Sequence, residues 1–408
     1  MTSSKILYIY QFFRTPEEGG IIRSYYLSKA LVNAGHAVEV ITSHNKLHYE
    51  KKNVEGITVH YLPLHYEQHY GTLRRLYVYF IFVLKAIRCA LKIKHVERCY
   101  VASVPLSVGF IGLAMKWLRG VPYFFEVGDL WPLTPIEMGY FKNRWVQKLL
   151  YGLELTFYRY ADIIVGLSPA IQINIQSRIA QPEKVYCIPN IADCGFFYPT
   201  IKDPALEQRW DVQGKFVITY FGSIGKVVQL ESLINTAREG RSQNNIVFLV
   251  VGQGSELVRL QALASDLPNV RFLDQVNKKD LRNILNITDA VYLSYMPIPA
   301  LSTNSPNKLF ESLAAGKLSI INIRGWHCEL IEQAGCGFYT DPEQPEQFYQ
   351  KLKPYLVNPA QHLAASQKAR ALAERDFSLQ KLSHDFVALF AEETLEKELL
   401  VAADKLSL

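Results

Sequence analysis

Ser305-Pro306-Asn307-Lys308-Leu309-Phe310-Glu311-Ser312-Leu313-Ala314-Ala315-Gly316-Lys317-Leu318-Ser319-Ile320-Ile321 carries both ends of a helix in its own letters. Ser305 suits the N-cap, and Pro306 suits the first helical position, where its missing N–H has no partner to lose. Gly316 suits a left-handed stop, with Lys317 favourable beside the negative helix end. The apolar run 318–323 then reads as a buried strand. Lys308 and Glu311, three apart, share a face near the positive end. Free amides, an ammonium and the helix dipole suit a phosphate there. A carboxylate one turn further in suits the two hydroxyls of a sugar, because it only accepts.

Working outward, the same alternation recurs on both sides. Upstream lie a strand at 5–10, a helix to Ala34 closed by Gly35, and a strand at 37–42, with Gly19-Gly20 in the first loop. Residues 57–62 read as an edge strand and 73–88 as a helix rich in aromatic and basic residues. Strands at 98–101 and 121–127 and helices at 107–119 and 141–160 follow, then a strand at 161–168 leading into a capped helix and a strand at 185–188. The pattern restarts after mixed turn residues at 195–214. A strand at 215–221 ends in Gly222-Ser223-Ile224-Gly225-Lys226, and 246–251 ends in Gly252-Gln253-Gly254. Further helices are expected at 228–240, 255–265, 278–287, 344–356, 360–374 and 378–403, with strands at 270–273 and 289–294. Alternation in two separate halves predicts an α/β protein of two doubly wound domains.

With 408 residues the chain exceeds one ordinary core. Its net charge is +6, with Lys and Arg scattered and no basic tract, which argues against a nucleic-acid partner. The six Cys, at 89, 99, 187, 194, 328 and 336, form no CxxC pair and no metal-ligand spacing, so free thiols in a reducing compartment are expected and no metal site. The first residues run directly into a strand, so no signal peptide is expected, and no apolar run is long enough for a membrane span. The segment 73–94 is both basic and aromatic, which suits a membrane interface and equally suits a core helix whose Arg and Lys snorkel to water. In an open parallel sheet ligands gather at the carboxyl ends of strands, which singles out Glu126, Asp129 and Trp131.

Four stretches together resemble glycosyltransferase family 4: Glu18-Gly19-Gly20; Ile188-Pro189-Asn190 with Asp193; Phe221-Gly222-Ser223-Ile224-Gly225-Lys226; and Lys308 through Gly316. Glu126-Val127-Gly128-Asp129-Leu130-Trp131-Pro132 is similar to the branch holding fucosaminyltransferase-like enzymes of surface-polysaccharide synthesis. The resemblance implies the GT-B fold: two Rossmann-like domains facing across a cleft, with C-terminal helices crossing back. It places an acceptor-binding domain at 1–197, a linker at 198–214, a nucleotide-sugar-binding domain at 215–377 and a returning helix at 378–408. It implies retaining, metal-independent transfer from a UDP-sugar, with an N-acetylated amino sugar as the expected donor group. The acceptor would be a lipid-linked saccharide in polysaccharide or O-antigen synthesis, at the inner face of the cytoplasmic membrane, with no cofactor. A non-hydrolysing nucleotide-sugar epimerase and a non-catalytic nucleotide-sugar-binding protein are the other classes considered.

Residue by residue, the resemblance implies that Glu311 holds the ribose and Lys226 faces the diphosphate. The backbone at Gly222, Ser223, Gly225 and Gly252 would lie close to the donor, with Lys308 and the Leu309 amide completing the anion site. Leu273 to Val276 would edge the base. Gly19 and Gly20 would approach the donor phosphates or the acceptor. Two positions depart from the family pattern: Thr303 stands where many members have Glu, and Gly128 where many have His. Sugar contacts then fall to small polar groups such as Asn304 and Ser305, and acceptor contacts to Asp129 and Glu126, for which the other reading is buried carboxylates that cap loop amides. Lys226, Glu311, Asp129 and Glu126 are the expected catalytic set.

Overall fold

The computed structural model describes residues 3–18, 22–67 and 70–391. Gly19 and Gly20 lie outside the described residues, as does 392–403 of the expected last helix. The described residues divide into two compact units, one drawn from residues up to 189 together with 382–391, the other of 190–381.

The first unit is built on an eight-stranded sheet. Its strands are β1 (Lys5–Ile9), β2 (Ala37–His44), β3 (Glu50–Val54), β4 (Ile57–Pro63), β5 (Arg98–Ala102), β6 (Tyr123–Val127), β7 (Ile163–Gly166) and β8 (Val185–Cys187). Their order is β3-β4-β2-β1-β5-β6-β7-β8, parallel throughout except for β3. Strands such as β5 and β6 are buried on both faces, which explains why they read as continuous apolar runs. The expected edge strand at 57–62 is an interior one, because the polar strand Glu50–Val54 pairs antiparallel along it. The hairpin turns at Glu55-Gly56, both at positive φ (49° and 93°). Late in the chain, Phe386 and Phe390 pack their rings on Tyr100, 5.0 and 6.2 Å away, inside this unit.

The helices Thr72–Ala90, Gly109–Arg119 and Arg144–Tyr160 pack successively against one another. Among the described residues no helix is long and apolar enough to cross a membrane. The short helix Leu133–Glu137 follows β6 and is unmarked by any periodicity in the sequence.

The second unit holds six parallel strands: β9 (Phe216–Phe221), β10 (Ile246–Val251), β11 (Val270–Leu273), β12 (Ala290–Leu293), β13 (Leu318–Ile321) and β14 (Gly337–Tyr339). Their order is β11-β10-β9-β12-β13-β14. Residues 198–214 belong to this unit and include the helix Pro204–Arg209, capped by Asp203. Lys202 ties the segment down through an ion pair to Asp289 at 2.6 Å. The helix Trp326–Ala334 and β14 complete the sheet and were not foreseen.

In each unit the chain winds outward in one direction and then in the other. The reversals fall between β1 and β5 and between β9 and β12. Crevices outside the carboxyl ends of such strand pairs are where doubly wound sheets bind ligands.

Candidate active site

In the second unit the loop after β9 and the stretch after β12 meet the helix Asn307–Ala314. The helix begins one residue later than expected. Pro306 is the N-cap, in extended conformation, and Ser305 makes no cap. The Ser305 hydroxyl instead accepts the Asn190 amide at 3.3 Å, while its carbonyl takes the Asn190 side chain at 2.5 Å. The Leu309 amide bonds back to the Pro306 carbonyl at 3.0 Å, so it is spent within the helix turn rather than offered to an anion. The first-turn amides of Asn307 and Lys308 have no intrahelical acceptor. At the other end Gly316 sits at φ +64°, where a Cβ would stand 2.8 Å from Pro199, as its stop role requires.

Lys308 reaches back to β9. Its ammonium donates to the Tyr220 hydroxyl at 3.1 Å and lies 4.1 Å from that ring's centroid, with the Tyr295 ring at 5.6 Å. Tyr220 in turn donates to the Ser223 carbonyl at 2.5 Å, which pins the loop. Gly222 sits at φ +128°, and a Cβ there would lie 3.4 Å from the Lys308 Nζ. Burial pushes the Lys308 ammonium down to about 7, opposed by the neighbouring Glu311. Burial likewise pushes the Glu311 carboxyl up to about 7, opposed by Lys278 and Lys308 and reinforced by Asp193. Lys278 is itself paired with Asp193 at 2.7 Å. The arrangement offers one cation beside an exposed glycine backbone and one carboxylate a helical turn away.

Other expected donor residues divide by task. Lys226 is exposed, and its ammonium makes no hydrogen bond or ion pair among the described residues. Gly225 has open space where a Cβ would go. Gly252, at φ +148°, serves backbone packing, since a Cβ there would stand 1.9 Å from the Gly222 carbonyl oxygen. The Leu273 carbonyl accepts the Gly252 amide at 3.0 Å, and Val276 is partly buried in the loop beyond. Of the polar stretch 302–305, Ser302 and Thr303 spend their hydroxyls on the Pro299 and Ala300 carbonyls at 2.6 and 2.7 Å. The Asn304 side-chain oxygen is buried without a hydrogen-bond partner, and so is that of Gln229 just beyond Lys226. Sequence reasoning missed Gln229 and the Tyr220 platform. The only signal for Gln229 was a polar residue three positions after the loop lysine.

In the first unit Glu126 is not presented to a ligand. It is buried, and its Oε2 accepts from Arg23 Nε (3.2 Å) and NH2 (3.0 Å) and from the Tyr100 hydroxyl (2.6 Å). Arg23 also donates to the Ile188 and Pro189 carbonyls, at 2.9 and 2.5 Å, so this carboxylate anchors the Ile188-Pro189 corner. That is a positioning task, and it corrects the expectation of acceptor contact. Asp129, in contrast, is partly exposed, and its carboxylate makes no hydrogen bond or ion pair among the described residues. Burial raises it from its ordinary value. The Asp129 and Glu126 charges both act on the Tyr10 phenol, which burial chiefly raises, so Tyr10 shares this corner. Gln11, at the end of β1, is fully buried with both side-chain polar atoms unpartnered. Tyr10, Gln11 and Arg23 were missed, although the carboxyl-end rule that selected Asp129 applies equally to β1.

Two Rossmann-like units, each wound on a largely parallel sheet, are the architecture of the GT-B glycosyltransferases. A family profile for glycosyl transferases group 1 matches residues 204–372, and one for a glycosyl transferase 4-like domain matches 18–191. Each matches less than half of the chain, and together they cover most of it, so both parts of the chain are similar to glycosyltransferase domains. TuaH of Bacillus subtilis (strain 168), assigned to teichuronic acid biosynthesis as a glycosyltransferase, is 25% identical over 198 residues. That match spans about half of each protein, 47% of this chain and 48% of the relative. Among solved structures, sucrose-phosphate synthase from Thermosynechococcus elongatus superposes with a TM-score of 0.75 at 15% identity, over 98% of this chain and all of that one. Anabaena HepE in complex with UDP and glucose gives 0.70 at 17% identity, over 95% and 99% of the two chains. At these identities the structural likenesses establish the fold alone.

Proposed function

We propose that the chain transfers a sugar, with retention of configuration, from a UDP-sugar to a hydroxyl of a lipid-linked saccharide during surface-polysaccharide or O-antigen synthesis. The donor group we assign is an N-acetylated amino sugar. The observation that carries the reading is the Lys308 ammonium held on Tyr220 beside Gly222, with Glu311 one turn along the same helix. Such a pair matches a diphosphate and the pentose attached to it. The complex of HepE with UDP and glucose supports a uridine nucleotide, and the match to TuaH supports a polysaccharide product.

Cleaving the sugar–phosphate bond leaves its electron pair, and growing negative charge, on the diphosphate. Lys308, the backbone amides around Gly222 and the exposed Lys226 meet that charge, and they stabilise the transition state more than the ground state. In this reading they act in place of a divalent cation. The acceptor hydroxyl enters on the leaving-group face, its oxygen bonds to the anomeric carbon, and its proton passes to the departing phosphate oxygen. Asn304 and Gln229 offer unpartnered oxygens to sugar hydroxyls, and Asp129 orients the acceptor. Glu126 acts through Arg23 on the corner that follows β8. The basic aromatic segment 73–94 supports a site of action on the inner face of the cytoplasmic membrane.

The test is incubation with UDP-N-acetylhexosamines and a polyprenyl-diphosphate-linked N-acetylglucosamine in EDTA, reading product linkage by NMR. Transfer with the donor's anomeric configuration kept is expected. Inversion, bare hydrolysis, or loss in EDTA with rescue by manganese contradicts the reading.

A further inference from the structure

On the first unit a cavity of about 580 Å³ opens between β4 and the last turns of the helix Thr72–Ala90. Six cations line it: Lys5, Lys51, Lys85, Arg88, Lys92 and Lys94. One carboxylate, Glu39, opposes them, against a net charge of +6 for the whole chain. Glu39 is already engaged on both oxygens, by Lys5 at 2.6 Å and by the His60 ring at 2.6 Å. The Tyr49 hydroxyl closes that array on the other His60 nitrogen at 2.7 Å. Lys85 donates to the Pro63 carbonyl at 2.5 Å. Lys51, Arg88, Lys92 and Lys94 make no side-chain hydrogen bond or ion pair among the described residues, and all four are exposed. Like charges gathered in a concavity repel one another and focus a positive potential. The volume is that of a small-molecule site, and phosphate oxygens are what unpaired ammonium and guanidinium groups recognise best.

The same helix identifies the source of the phosphate. Its buried face is Val78, Phe82, Val83, Ala86 and Ala90. On its open face Leu73, Tyr77, Phe80 and Leu84 are exposed by 84, 64, 58 and 50%. They recur at helical spacing, and the next position in that series is Arg88, at the cavity. The two neighbouring helices continue the apolar surface with exposed Trp117 and Leu118 and with Trp145 and Leu149. Exposed tryptophans and leucines rimmed by cations suit the boundary between headgroups and acyl chains.

We propose that this cavity is a headgroup site for an anionic phospholipid, whose phosphate sits among Lys51, Arg88, Lys92 and Lys94 while its acyl chains lie along the Leu73–Leu84 stripe. The proposal rests on the membrane part of the functional reading, and its test separates the two. Wild type, the cavity variant Lys51→Glu/Lys92→Glu/Lys94→Glu, and a control with the same charge change elsewhere, Lys279→Glu/Lys353→Glu/Lys368→Glu, are sedimented with vesicles. The vesicles are phosphatidylcholine alone or phosphatidylcholine with phosphatidylglycerol. All six positions are exposed, so the fold is retained, and thermal midpoints verify this. Wild type is expected to pellet with the anionic vesicles, and the cavity variant to lose at least about tenfold in affinity, given about 1 kcal/mol per basic residue near an anionic surface. The control is expected to keep binding. Wild type that pellets while the cavity variant binds equally well, or while the control loses as much, overturns the cavity site and leaves the membrane reading standing. Wild type that pellets with neither vesicle overturns both. Saturable binding of inorganic pyrophosphate with no preference for anionic vesicles makes the ligand a soluble anion and overturns the lipid assignment.

Discussion

The ammonium of Lys308 and the phenol of Tyr220 are joined twice, by a 3.1 Å hydrogen bond and by a 4.1 Å approach of the cation to the ring. Because Tyr220 also holds the Ser223 carbonyl, one contact sets both the cation and the loop beside it. A phosphate bound there meets a charge and a backbone that need no rearrangement, which is the condition for strong electrostatic stabilisation.

Removing the charged groups separates their tasks. Lys308→Ala, Lys226→Ala and Glu311→Ala are each expected to lower transfer by about 10²-fold, roughly 3 kcal/mol, the worth of a charged contact. Tyr220→Phe removes only the hydroxyl and is expected to weaken nucleoside diphosphate binding less than Lys308→Ala. Titration calorimetry and initial rates check both. All three alanine variants near the wild-type rate, with intact folds, would misplace the site.

The two perturbed groups also write a pH signature into the unliganded protein. The Glu311 carboxyl, raised to about 7, keeps its proton in the fold between pH 4.5 and 7 while the unfolded chain has lost it, so this term lowers stability as pH rises across that window. Lys308, lowered to about 7, has lost its proton in the fold between pH 7 and 10.5 while the unfolded chain keeps it, so its term raises stability with pH. Glu311→Gln is therefore expected to raise the melting temperature at pH 7.5 relative to wild type and to leave it near wild type at pH 4. A scan of both proteins across that range checks the sign.

Glu126 is a test of position rather than chemistry. Glu126→Ala leaves the buried Arg23 without its counter-charge and is expected to cost about 3–5 kcal/mol of stability. Replacing both by leucine and methionine is expected to recover part of that. Chemical denaturation measures each, and a Glu126→Ala protein as stable as wild type contradicts the anchoring role.

Glycines in the second unit differ in what they tolerate. Gly252→Ala drives a Cβ into the Gly222 carbonyl and is expected to cost about 3 kcal/mol or more, whereas Gly225→Ala meets open space and is expected to be nearly neutral. Urea midpoints of the two variants distinguish them.

The sequence carried the fold wherever one chemistry dominates a segment. Buried parallel strands are apolar throughout, and both ends of the helix near Glu311 are marked by Pro306 and Gly316. It failed where tertiary partners override local preference. Glu50–Val54 is polar because it is an edge, so nothing in its letters called for a strand. Ser305 looks like a cap by type, but Asn190, far away in sequence, claims its hydroxyl. The site was half legible. Lys308 and Glu311 stand on one helix face and are found by spacing, whereas Tyr220 reads as one more core residue of a strand. Glu126 and Asp129 looked alike in sequence, and only the distant Arg23 and Tyr100 separate their tasks.

The most direct test is a crystal structure with UDP bound. The diphosphate is expected against the Lys308 ammonium and the Gly222 backbone, with both ribose hydroxyls donating to the Glu311 carboxylate. A nucleotide bound at another place, or a Glu311 side chain turned away from the ribose into solvent, contradicts it.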